Sequence, residues 1–377
     1  MVASSPKPIE KIRHDVVGSL LRPAYLKDAR LRFEEGEMGA DELRKIEDGA
    51  IRDAVLLQEK TGLEIVTDGE FRRLNFEESF GASVSGLGSS EENTRYYEQR
   101  AKQARPLERA AIPALVRTIA DKLHLVRNLP LEEFRFTSQA TARPVKVTLM
   151  SAEYYRQRFG PGAAVSAYEA VEDFMADVVR IQREIVTGLL EAGCPYVQID
   201  GPRYAAFVDP REIEMVLQKA RDPMAELRLS IQADNEVIRG LSGATFAMHV
   251  CRGNRNSMWI REGGYDPIAE ALFNELDHSR FLLEYDSPRA GSFEPLRFVP
   301  KSKTVVLGLV STKTPELEKT DDLKRRIEEA SRYAPLERLA LSPQCGFSTN
   351  VGGNLITEDD QKRKLELVVE TARQVWG

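Results

Sequence analysis

Cysteine and histidine are scarce in this chain. Its 377 residues include three Cys, at positions 194, 251 and 345, and four His. Three thiols cannot build the disulfide framework of a small secreted protein, and free thiols fit a reducing compartment. No apolar run approaches the roughly 20 residues needed to cross a bilayer. The stretch Met1 to Glu10 lacks the apolar segment of a signal peptide and reads as a short tail. No cluster of Lys and Arg is interleaved with aromatics, and the net charge is −6, which argues against a nucleic-acid partner. Low-complexity segments and internal repeats are also missing. The expectation is a cytoplasmic protein with neither a membrane nor a nucleic acid as partner.

The chain does have the composition of a folded protein, 42% hydrophobic and 30% charged. Its length suits two domains or one large barrel. Short β-rich runs alternate with amphipathic helical runs from end to end. The strands are predicted at Asp15–Ser19, Leu63–Thr67, Val145–Met150, Tyr196–Asp200, Phe246–Cys251, Phe281–Tyr285, Thr304–Leu309 and Arg338–Ser342. Long charged helices are predicted between or after them, at Ser166–Gly193, Arg211–Leu241, Asp321–Tyr333 and Glu358–Trp376, the last opened by a capping-box-like Thr357 and Asp360. About eight strands, each followed by helix, form the pattern of a parallel (β/α)8 TIM barrel, read here as a single domain over 1–377. The polar stretch from Ser85 to Thr137 is too long for a connection and is predicted to be a helical insertion after the second strand.

Active sites of such barrels lie at the carboxyl ends of the strands. Ser19, Glu70, Asp200, His249, Cys251, Glu284 and Cys345 all fall there. His249 and Cys251 stand two apart in the apolar run Thr245-Phe246-Ala247-Met248-His249-Val250-Cys251, so a strand presents both on one face. An imidazole beside a thiol is a zinc donor pair, although a packed core His and Cys is the bland alternative. Glu284 and Cys345, each where an apolar run gives way to turn-forming residues, are the strongest further donors.

The residues in those positions carry a resemblance. Val17-Gly18-Ser19, Thr67-Asp68-Gly69-Glu70-Phe71-Arg72-Arg73, Gln198-Ile199-Asp200, His249-Val250-Cys251-Arg252-Gly253-Asn254, Leu283-Glu284-Tyr285-Asp286 and Ser342-Pro343-Gln344-Cys345-Gly346 run through nearly the whole chain. In this set the chain resembles the catalytic C-terminal barrel of the cobalamin-independent methionine synthase family, and its stand-alone single-barrel bacterial relatives. The resemblance implies a Zn²⁺ held by His249, Cys251, Glu284 and Cys345. It also implies a homocysteine-like thiol that becomes a thiolate on zinc and attacks the methyl group of methyltetrahydrofolate or a similar donor. Ser19, Glu70 and Asp200 match the positions that hold the amino-acid end of homocysteine.

Arg22, Arg72, Arg203 and Arg252 lie in the same loops and are candidates for an anionic group of a substrate. Tyr204, Phe207 and Trp259 are candidates to stack on a flat donor, with packing as the alternative. Where the family carries a His after the seventh strand, Leu309-Val310-Ser311-Thr312-Lys313 has none, and Lys313 falls nearest. The remaining His and Cys are read as structural: His14 before the first strand, His124 on the inserted helix, Cys194 before the fourth strand and His278 in a surface turn. The alternative function is a zinc-dependent thiol alkyltransferase similar to epoxyalkane:coenzyme M transferase, which opens an epoxide and needs no folate pocket. A third reading makes the zinc purely structural.

Overall fold

The computed structural model describes residues 8–89, 117–157 and 167–377. Its strands are numbered in chain order. β3 (Lys146–Met150), β4 (Tyr196–Asp200), β5 (Thr245–Val250), β6 (Arg280–Glu284), β7 (Thr304–Val310) and β8 (Leu339–Pro343) form one parallel sheet in that order. These strands are nearly continuous apolar runs because parallel sheets in α/β folds are covered on both faces. β3, β4 and β6 to β8 are buried along almost their whole length.

The first two predicted strands occupy the expected places but join by single bridges. His14 pairs with Leu341 in β8, and Val66 pairs with Val145 beside β3, both in parallel. The Leu20 N–H donates to Gly69 O at 3.1 Å, linking the two segments to each other. An inner apolar layer takes Val17, Ile65, Tyr196, Ala247, Leu282, Val306 and Ala340, one residue from each strand position except β3. A much larger apolar layer separates the sheet from the helices.

The helices used below are α1 (Ala40–Thr61), α2 (Leu129–Gln139), α3 (Val171–Glu191), α4 (Pro210–Gln218), α5 (Pro223–Ile238), α6 (Thr320–Ser331) and α7 (Glu358–Trp376). α7 starts at the predicted capping box: Thr357 and Asp360 satisfy each other's backbone N–H groups. The helix predicted over Arg211–Leu241 is two helices. Asp222 caps the second one and Pro223 opens it, and Pro lacks the N–H that a continuous helix would need there. No helix among the described residues is long and apolar enough to cross a membrane.

The segment predicted as a helical insertion over 85–137 is corrected in its described parts. β1 (Val84–Ser89) and β2 (Arg117–Leu125) pair as an antiparallel ribbon, and among the described residues of the segment only α2 is helical. The ribbon register shifts between Ser85 and Leu87, around Gly86 at φ +92°. A Cβ there would lie 2.3 Å from Lys122 O, so only glycine fits this bulge. A ribbon with one wet face alternates polar residues that a short-range reading does not separate from a helical surface. His124 accordingly lies in β2, paired with Ser85. Residues 1–7 and 90–116, which include most of the predicted tail and the middle of the predicted insertion, lie outside the described residues.

Candidate functional site

β5 ends at Val250, so His249 points into the mouth of the fold from the strand and Cys251 from the first loop residue. Cys345 follows β8 by two residues, and Asp200 and Glu284 are the last residues of β4 and β6. Asp200 and His249 are register partners on adjacent strands. The donor atoms of His249, Cys251 and Cys345 all lie within 4.8 Å of one another, and all three residues are buried. A cavity of about 520 Å³ is lined by these three residues together with Ser19, Glu70 and Asp200. Six of the seven residues predicted to share a site therefore meet at one cavity.

The donor chemistry suits a soft metal. His249 Nδ1 lies 3.2 Å from Leu282 O, which assigns the ring proton to Nδ1 and leaves a lone pair on Nε2. Nε2 is buried and has no hydrogen-bond partner among the described residues. The shared hydrogen bond with Cys345, followed by the nearby His249, pulls the Cys251 thiol well below its usual range against the effect of burial. The same contact, together with burial, pushes Cys345 well above it. The two sulfurs thus share one proton between them. Burial lowers His249, but Cys251 and Asp200 more than offset this and hold it above its ordinary value.

Glu284, the seventh predicted residue, is fully buried beside this group but is bound elsewhere. Its Oε2 accepts from the Arg252 N–H at 2.7 Å, its Oε1 pairs with Arg289, and Lys313 Nζ stands 3.5 Å from Oε1. Burial raises its carboxyl, but Lys313, the Arg252 N–H and Arg289 bring it below the usual carboxylate range. Arg289 belongs to the loop after β6 and was missed, because nothing in its local sequence separates it from a surface arginine.

The two cavity acids differ. Burial pushes Asp200 up to about 7, despite His249 and a hydrogen bond from Gln198. Glu70 sits at φ +60°, a left-handed conformation that costs a non-glycine residue about 1–3 kcal/mol. The turn is held on both sides: the Glu70 N–H donates to Asp68 Oδ1 at 2.9 Å, and Arg22 Nη2 donates to Glu70 O at 2.8 Å.

The predicted anion and donor contacts fare differently. Arg22 is buried, and its guanidinium is spent on Ser348, Asn350, Glu70 and Arg73. Arg72 turns away to Asp48 and Glu47 and lies 4.5 Å from the Phe136 ring centroid. The buried Tyr204 donates its hydroxyl to Asp234 at 2.8 Å. Arg252 holds the loop by donating to Gly263 O, Glu284 O and the Tyr265 hydroxyl. These four side chains are committed within the protein and none lines the cavity, where a substrate contact was predicted for them. Arg203 bonds Gln157, which does line the cavity, and Lys313 pairs with Glu284 and with Asp286 at 3.8 Å. His278 is fully buried, not in a surface turn, and His14 pairs with Glu64 at 3.1 Å. Cys194 is buried, with its thiol bonded to Tyr196 O.

Several cavity residues were not anticipated. Asn75 and Phe76 come from a loop, and Tyr154 from the short helix Ala152–Arg156, too short for an apolar period to mark it. Asn254 lies in the His249-to-Asn254 run and was given no role. Its amide donates to Thr312 Oγ1 and Gly346 O, tying the Cys251 loop to the Cys345 loop.

A parallel α/β sheet with imidazole, thiols and carboxylates gathered at the carboxyl ends of its strands defines a β/α-barrel protein with a soft-donor site. The chain belongs to the cobalamin-independent synthase family, whose catalytic-domain profile matches residues 14–127 and 161–374. It is 37% identical over 371 residues to the uncharacterized protein YxjG of Bacillus subtilis, covering 97% of this chain and 94% of that one. It is 25% identical over 336 residues to a methionine synthase of Pyrococcus abyssi, covering 88% and 85%. A solved structure from Listeria monocytogenes, described as a candidate vitamin-B12 independent methionine synthase, aligns with a TM-score of 0.72 and 28% identity over 99% of this chain and all of that one.

Proposed function

We propose that this protein is a zinc-dependent thiol S-methyltransferase that methylates homocysteine from methyltetrahydrofolate or a similar carrier. The observation that carries the reading is the convergence of His249, Cys251 and Cys345 with two carboxylates on one cavity. His249 Nε2, the Cys251 and Cys345 sulfurs and, after rotation out of its ion pairs, Glu284 would hold the metal. Bound Zn²⁺ supplies a Lewis acid that lowers the pKa of a thiol into the neutral range. Glu70 and Asp200 accept hydrogen bonds from the substrate ammonium, and Ser19 and the backbone around Gly346 face its carboxylate. Lys313 is engaged with Glu284 and Asp286 and does not line the cavity. Lys313 is therefore not placed to protonate a folate amine leaving group.

The coenzyme M alternative needs a cation for the thiol's sulfonate; Glu70 and Asp200 favour an ammonium, while Arg255 and Arg261 on the same cavity are the side chains a sulfonate would use. The deciding experiment is calorimetric titration of the zinc-loaded protein with homocysteine and, separately, with 2-mercaptoethanesulfonate, in two buffers of different ionisation enthalpy. Proton-releasing binding of homocysteine alone is the expected result. Preference for the sulfonate moves the assignment to epoxide opening, and proton release by neither thiol removes the mechanism.

A further inference from the structure

Both cavity acids are held from beneath by chains of polar side chains, and the two arrangements match. On one side Arg73 and Glu133 form a buried forked pair, with Nε at 3.0 Å and Nη2 at 2.6 Å from the carboxylate. The remaining Arg73 nitrogen, Nη1, donates to Thr148 Oγ1 at 3.0 Å, and Thr148 Oγ1 donates to Glu70 Oε1 at 2.9 Å. On the other side Lys146 pairs with Asp15 at 2.9 Å, and Asp15 also holds Arg280. Lys146 Nζ donates to Gln198 Oε1 at 2.8 Å, and Gln198 Nε2 donates to Asp200 Oδ1 at 2.7 Å.

The polarity of each chain follows from its cation. Arg and Lys side chains donate and never accept. Thr148 must therefore accept from Arg73, and its single proton can go only to Glu70. Gln198 must likewise turn its oxygen to Lys146, which turns its NH₂ to Asp200. Lys146 and Thr148 are two apart on β3 and share its inner face, and Thr148 is the register partner of Gln198 on β4. One cross-strand pair thus reaches both acids. Each takes one carboxylate oxygen, and no hydrogen bond among the described residues reaches Glu70 Oε2 or Asp200 Oδ2.

We infer that Thr148 and Gln198 are positioning residues: they lock Glu70 and Asp200 so that one oxygen of each faces the cavity as an acceptor for a substrate ammonium. This rests on the homocysteine reading proposed above. It assigns selection for an α-amino thiol to β3 and β4, and it anchors that selection through Glu133 in α2, the helix that follows the ribbon.

The test is the binding preference of the zinc-loaded protein for homocysteine over its deamino analogue, measured by calorimetry. Thr148→Val keeps the shape and removes the hydroxyl. It should lower the preference about 10- to 100-fold, the scale of one hydrogen bond to a charged group. The analogue should bind as before, and Thr148→Ser should restore the preference. Gln198→Met should lower it in the same direction. Equal weakening of both thiols by Thr148→Val would mean a merely structural role and overturn the inference. Glu70→Gln separates the two failures. If it collapses the preference and Thr148→Val does not, the inference alone is wrong. If it leaves the preference intact, the ammonium contact is wrong and both fall.

Discussion

Gly346 offers the sharpest test of the site's construction. It follows Cys345 and packs against Ser19 from the opposite side of the chain. A Cβ at Gly346 would lie 2.1 Å from Ser19 Oγ and 3.3 Å from both Ser19 Cβ and Ser19 N. The first distance is impossible and the others are tight, so Gly346→Ala must displace the hydroxyl. The least costly response is rotation of Ser19, which loses the 3.3 Å hydrogen bond from the Ser348 N–H, about 1 kcal/mol. If the backbone must also move, the cost approaches the about 3 kcal/mol of an overpacked core. With an unfolding entropy of about 2.1 cal/mol/K per residue, 377 residues give about 0.8 kcal/mol/K, so the melting temperature should fall by about 1–4 °C. Removing the obstacle should reverse this: with Ser19→Ala the hydroxyl is gone and only the 3.3 Å contacts remain. Scanning calorimetry of the two single variants and the double variant measures the coupling. The double variant should be at least as stable as Gly346→Ala alone, with a non-additive coupling above about 0.5 kcal/mol. Additive effects within that margin would show that Ser19 and Gly346 do not touch as described, and the carboxylate end of the cavity would have to be redrawn.

Other consequences can be checked separately. Cys251→Ala and Cys345→Ala should each leave the protein folded but free of zinc after dialysis, as read by elemental analysis; full occupancy in either variant would remove that cysteine from the ligand set. Asp200→Asn should weaken homocysteine about 10- to 100-fold and its deamino analogue little, and equal losses would count against an ammonium contact. His278 is fully buried, neither ring nitrogen has a hydrogen-bond partner among the described residues, and burial lowers its pKa from 6.5 to about 3. The unfolded chain therefore takes up a proton that the folded one refuses, and stability falls by about 1.4 kcal/mol per pH unit as the pH drops from 6.5 toward about 3. His278→Leu should flatten that slope in denaturant titrations, and an unchanged slope would mean that His278 is protonated or solvated in the folded protein.

Much of this protein was determined by local sequence. The alternation of buried apolar runs with amphipathic helices fixes a parallel sheet, because only strands covered on both faces read that way. β3 to β8 fell where those runs lie, and the chemistry-bearing residues fell at their carboxyl ends. Thr357 and Asp360 announced the start of α7 because a capping box acts over three residues and needs nothing else. Short-range signals failed where a segment's partner lies far along the chain. The ribbon of β1 and β2 reads as a polar helix until its two halves are paired. His278 reads as a turn residue until the folded chain buries it completely. Tertiary structure alone decided what each arginine does. Arg22, Arg72, Arg73 and Arg252 all sit in loops at the carboxyl ends of strands, yet each guanidinium is committed by whichever carbonyls and carboxylates fold against it. The same holds for Glu70 and Asp200. Sequence placed two acids at the mouth of the barrel, but the charge and aim of each depend on burial and on Thr148, Gln198 and the cations beneath them. Those contacts join segments tens to hundreds of residues apart and exist only once the chain has folded.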